Sequence, residues 1–299
     1  MKQLITTIAF LITIHVFRQS KVSFTFDDGV IGDRPNYTFE EWNGMLLKKL
    51  NDANIEAMVF VTGNDKKGKK GKKLLESWND NGHKIANHTF THPNYNAKTT
   101  TIADFKSDFL KNDKVISKYS NYVKFFRFPY LKEGNTKEKV DAFREFLKSQ
   151  DYRNGYVTID ASDWYIDSRL IKRLRENPLA DLSDFREFYL NHIWERAQFY
   201  EKLSFEINGR HIKHTLLLHH NLAAALFLDD LIEMFRSKGW EIVSASEAYE
   251  DPVYKTETNF AGESLIYAQA KGSGKYDSIL RYPAEDSRYE KDSMDKLGL

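Results

Sequence analysis

Short runs of β-forming residues alternate with helix-like stretches along most of the chain, and that rhythm restricts the fold more than any other feature. The strand-like runs fall at 22–26, 55–61, 84–87, 124–128, 152–158, 215–219 and 241–243, with helix-like segments at 39–54, 72–81, 101–119, 137–148 and 228–238. Strands separated by helices assemble as βα units around a parallel sheet, either a barrel or a doubly wound sheet. Seven strands and no glycine-rich phosphate loop favour the barrel. The expected fold is therefore α/β, a distorted (β/α)7 barrel over residues 21–250, and 299 residues suffice for one such barrel with additions. Residues 166–213 break the rhythm with a long, charged, helical pattern and read as an insertion. Residues 251–299 are polar, with one helix expected near 263–270, and read as a C-terminal extension.

The N-terminus differs from the rest. Lys2 precedes the apolar run 4–17, which Arg18, Gln19 and Ser20 follow. Fourteen residues are few for a bilayer span but suit the hydrophobic region of an export signal. Residues 1–20 are thus expected to be an export signal or an uncleaved anchor, with a buried first strand or helix as the alternative. Membrane contact is expected only through 4–17, and a secreted, periplasmic or envelope location follows.

Composition narrows the chemistry. The chain has no cysteine, so a transition metal would have to be held by histidine and carboxylate. Lys and Arg number 44 against 43 Asp and Glu, so no bulk attraction to nucleic acid is expected. The run 64–73 (NDKKGKKGKK) could bind an anionic polymer, although a solvated loop is the commoner origin of such a run.

The reactive residues fall where a barrel would use them. Asp27 and Asp28 follow the first strand-like run, and His88 and His92 follow the third. Arg127 closes the fourth, Asp163 and Trp164 follow the fifth, and His219 ends the sixth. In a parallel barrel these strand ends share the face on which active sites are built. His88 and His92, four apart after a strand and followed by Pro93, can face one point. Two imidazoles and one carboxylate would leave coordination positions open for catalysis. Adjacent aspartates can then divide the work, one binding a metal and the other left free as a base. The same donor set also describes non-haem iron oxygenases. Their usual carboxylate spacing and antiparallel sheets are not seen here.

Taken together, Thr25-Phe-Asp-Asp-Gly29, His88-Thr-Phe-Thr-His92-Pro93, Arg127-Phe-Pro-Tyr130, Asp160-Ala-Ser-Asp-Trp164 and Leu216-Leu-Leu-His219 resemble the five motifs of the polysaccharide deacetylase family, carbohydrate esterase family 4. The resemblance covers roughly 21–250. It implies Asp28, His88 and His92 as ligands of a divalent metal, usually zinc, with Asp27 as catalytic base and His219 as catalytic acid. Arg127 would orient Asp27 and lower its pKa, and Asp163 would tune His219. The Tyr130 N–H would help hold the oxyanion, while Trp164 and Leu217 would line the pocket for the acetyl methyl. The implied substrate is an N-acetylated polysaccharide, chitin-like or peptidoglycan. Acetylated xylan, a non-sugar amide and a non-catalytic carbohydrate-binding role are the alternatives. Two positions depart from the pattern: Phe128 stands where the family often has proline, and His220 where it frequently has aspartate. Strand alternation points 219 and 220 oppositely, which favours His219 as the catalyst. His83, His192, His211 and His214 are expected to be structural or solvated.

Overall fold

A computed structural model describes residues 19–280 and 286–299, so most of the expected export segment lies outside the described residues. In chain order the elements are β1 (Lys21–Asp28), α1 (Phe39–Asp52), β2 (Met58–Val61), α2 (Lys69–Asp80), β3 (Lys84–Asn87), α3 (Ile102–Ile116), β4 (Tyr122–Phe126), α4 (Lys137–Ser149) and β5 (Arg153–Asn154). There follow α5 (Asp163–Glu176), α6 (Ser183–Asn208), β6 (Lys213–His219), α7 (Leu222–Ser237), β7 (Glu241–Ile242), α8 (Ala245–Ala248), α9 (Leu265–Ser273) and α10 (Arg288–Leu297). The seven strands form one parallel sheet in the order β5-β4-β3-β2-β1-β6, with β7 paired to β1. This is the expected distorted barrel. Among the described residues no helix is long and apolar enough to cross a membrane.

The central strand shows how sequence period becomes packing. Along β1 successive side chains alternate faces. Phe24 and Phe26 point outward and meet Phe235 of α7 and Trp78 of α2, with ring centroids 5.9 and 5.6 Å apart. Burying each such ring contributes roughly 1.5–3 kcal/mol. Thr25 and Asp27 take the opposite face, where the interior is polar and hydrogen-bonded. Parallel register then aligns the strand ends: Asp27 lies opposite both Phe60 and His219, Asp28 opposite Val61, Val61 opposite Asn87, and Asn87 opposite Phe126. Residues that sit at unrelated places in the chain thereby reach one rim.

The structure departs from expectation in four places. The run 152–158 is not one strand. Only Arg153 and Asn154 pair with β4, after which Ile159 bridges Leu216 of β6. Gly155 marks the break, because a Cβ there would lie 2.4 Å from the Phe60 ring; the chain crosses from one sheet edge to the other at that close approach. Helix α7 starts at Leu222 rather than 228. Its first turns, Leu222–Ala225, are buried all round, so they carry no amphipathic period. Helix α2 takes in part of the lysine run. Helix α10, not expected, returns to the barrel side, where Arg169 of α5 pairs with Asp295 at 2.7 Å and Met294 is fully buried.

Candidate active site

A cleft of about 570 Å³ opens on the rim and is lined by Asp27, Asp28, His88, His92, Asn94, Tyr130, Leu131, Lys132, Trp164 and His219. Seven of the ten residues singled out from sequence therefore line it, and two more support it from behind: Arg127 lies beneath Asp27, and Asp163 behind His219. Leu217 is the correction. It is 1% exposed and clusters with Leu131 and Val157, and of these three only Leu131 is on the cleft wall.

Asp28, His88 and His92 form the one group among the described residues whose donor atoms could together hold a metal. Asp28 Oδ1 is 3.4 Å from His92 Nε2 and 3.7 Å from His88 Nε2, and the two Nε2 atoms are 3.2 Å apart. Tetrahedral ligands at ordinary zinc distances lie about 3.3 Å from one another. The triangle thus has the size of one tetrahedral face, and the residues fit a divalent cation. The His88 Nδ1–H donates to the Arg127 carbonyl at 2.8 Å, which leaves Nε2 with its lone pair toward the shared point. Burial pushes both His88 and His92 down to about 4, with the neighbouring His88 adding to the effect on His92. Both are therefore neutral and able to ligate at neutral pH. Burial works against the Asp28 carboxylate, but His219, His92 and His88 hold its pKa below the ordinary value.

Backbone strain places these donors. Among the described residues nine non-glycine positions have positive φ, and five lie here: Asp28 (74°), Thr89 (65°), His92 (58°), Tyr130 (57°) and Leu131 (53°). For a β-branched residue such as Thr89 this is exceptional. The left-handed turn at Asp28, rather than strand alternation alone, separates the two aspartates: the Asp28 side chain is 33% exposed and that of Asp27 5%.

Asp27 belongs to an interior network. Arg127 donates through Nη1 to Asp27 Oδ1 (2.5 Å), through Nη2 to Thr25 Oγ1 and Tyr249 OH (3.0 Å each), and through Nε to the Gly155 carbonyl (2.8 Å). Its guanidinium also stacks 3.9 Å over the Phe60 ring. The second oxygen, Asp27 Oδ2, lies 3.7 Å from His88 Nε2. Arg127 was expected to lower the Asp27 pKa. It does pull in that direction, but burial is the larger effect and leaves Asp27 above the ordinary carboxylate value.

Across the cleft His219 behaves oppositely to His88 and His92. Its Nδ1–H donates to Asp163 Oδ1 at 2.7 Å, and its backbone N–H donates to Asp163 Oδ2 at 2.8 Å. Asn221 also donates to Oδ2, at 3.1 Å. Burial opposes an imidazolium there, yet the charge and hydrogen bond of Asp163, aided by Asp28 and Asp27, push His219 up to about 10. His220 points away from the cleft, as alternation predicts. It is fully buried between Trp42 and Trp78, bonds Asn43, and is pushed down to about 3 by burial.

Sequence reasoning missed several contributors. Thr25 and Tyr249 complete the Arg127 network, and Asn94 and Lys132 line the cleft. Asn221 had a signal, being an N-cap residue ahead of an apolar helix. Lys66 was read as part of a solvated run, yet its side chain is buried against Gly29 and Asp65, and its charge helps hold Asp28 ionised.

Known proteins bear on this arrangement. A family model described as polysaccharide deacetylase matches residues 16–148. A peptidoglycan-N-acetylglucosamine deacetylase of Bacillus cereus is 26% identical over 149 residues, which is 50% of this chain and 48% of that protein; the match spans about half of that relative's length. Two solved structures share the fold. One is a peptidoglycan N-acetylglucosamine deacetylase (TM-score 0.54, 18% identity, 78% of this chain and 90% of that one). The other is a carbohydrate esterase family 4 pseudoenzyme from Bacillus anthracis (TM-score 0.51, 17% identity, 77% of this chain and 66% of that one). The second shows that this fold alone does not guarantee activity.

Proposed function

We propose that this chain, whose residues 16–148 match the polysaccharide deacetylase family model, is a hydrolase, dependent on a divalent cation such as zinc, that removes N-acetyl groups from an N-acetylglucosamine-containing polysaccharide. The observation that supports this reading best is the combination at the cleft. Three donors sit at metal spacing, a buried carboxylate is left over beside them, and a charged histidine faces them. The B. cereus relative's name, a peptidoglycan deacetylase, puts peptidoglycan and its N-acetylglucosamine among the first substrates to try. Action on such a polymer would place the protein at the cell envelope or outside it, in line with the apolar run at 4–17.

Amide hydrolysis needs an attacking oxygen, stabilisation of the tetrahedral oxyanion, and a proton for the departing amine. A divalent cation held by Asp28, His88 and His92 supplies Lewis-acid polarisation and acidifies a neighbouring water to a pKa of roughly 7. Asp27 takes the water proton onto Oδ2, the oxygen that Arg127 does not engage. Its raised pKa makes it a better base than an ordinary carboxylate, and general acid–base assistance of this kind is worth on the order of 10²–10⁴-fold. The water oxygen bonds to the acetyl carbon, and the Tyr130 N–H donates to the oxyanion. His219 delivers a proton from Nε2 to the sugar nitrogen, because Nδ1 is held by Asp163. The C–N bond then breaks, giving acetate and a free amine. Trp164 and Leu131, backed by Leu217, form the apolar wall that receives the methyl group.

The test is acetate release after zinc reconstitution, with chitooligosaccharides, peptidoglycan and acetylated xylan assayed side by side. Release from either N-acetylated polymer supports the proposal. Release from xylan alone would make the protein an esterase, and zinc binding without release from any of the three would support a carbohydrate-binding role.

A further inference from the structure

The turn that carries Tyr130 is costly for its own residues. Tyr130 and Leu131 lie consecutively in the left-handed region, a conformation that L-residues avoid and that persists only when surroundings over-determine it. Local bonds fix part of it: the Leu131 N–H donates to the Phe128 carbonyl at 3.0 Å, and the Lys132 N–H to the Pro129 carbonyl at 3.1 Å. The rest comes from more than a hundred residues downstream. The Glu263 N–H donates to the Leu131 carbonyl at 3.0 Å, and the Glu263 carboxylate holds the ammonium of Lys132, a residue of the cleft wall. Leu265 donates to the carbonyl of Val157, which packs with Leu131 and Leu217. Gly262, at φ 94°, crosses so close that a Cβ would lie 3.0 Å from the Leu131 oxygen. Arg144 of α4 ties down the start of this segment through the Thr258 carbonyl at 3.3 Å.

We propose that residues 258–265 act as a strap that sets the Tyr130 amide and the Leu131 wall against the reacting acetyl group, with Gly262 and Glu263 as positioning residues. The strap lies beyond the 16–148 region that matches the family model. The proposal rests on the deacetylase reading for the role of the Tyr130 amide, and on geometry alone for the fixing of the turn.

Both parts can be tested on the full chain loaded with zinc. Loss of one oxyanion donor costs about 10²–10³-fold in rate, so displacing that donor in Gly262→Ala is expected to lower kcat by about tenfold or more. KM and zinc affinity should stay within about twofold, and amide hydrogen exchange over 128–133 should accelerate. Should Gly262→Ala fail to fold, Glu263→Gln carries the test, since it keeps the backbone donor and ends the ion pair. It should lower kcat by about threefold, Lys132→Met should match it, and the double variant should be no worse than either. A folded Gly262→Ala protein with unchanged kcat, or a loss confined to KM, overturns the proposal; so does additive loss in the Glu263–Lys132 pair. If the unmodified protein releases no acetate, the deacetylase reading fails by itself. The exchange rates still decide the strap, with faster exchange in Gly262→Ala supporting it and unchanged exchange overturning it.

Discussion

The two walls of the cleft use the same side chain to opposite ends. On the β3 side His88 and His92 are pushed down to about 4, and on the β6 side His219 is pushed up to about 10. Burial cannot explain the contrast, because it depresses all three. The difference lies in the hydrogen bond at Nδ1. His88 spends its Nδ1–H on a neutral carbonyl, that of Arg127, whereas His219 spends it on the fully buried Asp163 carboxylate. A neutral acceptor fixes the tautomer and leaves a lone pair for a metal. An anionic acceptor retains the proton, and with it an acid. Under the proposed reading, one rim would hold a ligand pair and a proton donor without any of the three needing to titrate near neutral pH.

That contrast can be broken from either wall. The largest effect is expected on the ligand side: His88→Ala or Asp28→Ala should lose bound zinc and acetate release together, as metal analysis and turnover on the same sample will report. Next is Asp27→Asn, which should keep the metal yet reduce kcat by on the order of 10²–10⁴-fold. Zinc loss in that variant would make Asp27 a ligand rather than a base. His219→Ala should also spare zinc, and it should slow amide cleavage more than cleavage of an aryl acetate, whose leaving group needs no proton. Equal losses on both substrates would remove the acid role.

A smaller, sharper effect concerns pH. The proposed mechanism requires Asp27 ionised and His219 protonated, so kcat should fall as pH drops through the raised Asp27 value, and fall again as pH climbs through about 10. Asp163→Asn removes the main support of the imidazolium. The alkaline limb should then shift to lower pH while the acid limb stays in place; an unmoved alkaline limb would detach Asp163 from His219. The smallest effect on turnover is expected at His220. His220→Asn should cost stability, on the order of 1–3 kcal/mol for lost packing and a broken buried hydrogen bond, and leave the pH profile unchanged.

How much of this was legible in the sequence follows from what each residue depends on. The sheet and its rim could be read because runs of β-forming residues and the residues just after them are local features. Asp27, Asp28, His88, Arg127 and His219 each lie within one residue of a strand end, and parallel register does the rest. The left-handed positions could not be read. Thr89, His92, Tyr130 and Leu131 are poor candidates for positive φ, and only tertiary contacts hold them there. The split fifth strand depends on Gly155 meeting the Phe60 ring, and the Arg127 network depends on Tyr249, which lies 122 positions away. Leu217 had the correct parity for the cleft, but parity gives a side and not a depth. The sign of the Asp27 shift was misjudged for a related reason: a charged neighbour is visible in a motif, and burial is not.

The most direct test of the central claim is a zinc titration of chelator-stripped protein, with acetate release from an N-acetylglucosamine oligomer as the readout. Activity should rise linearly and saturate at one equivalent, and His88→Ala should stay flat across the same range. Full activity in the stripped protein, or a normal titration in His88→Ala, would contradict the account.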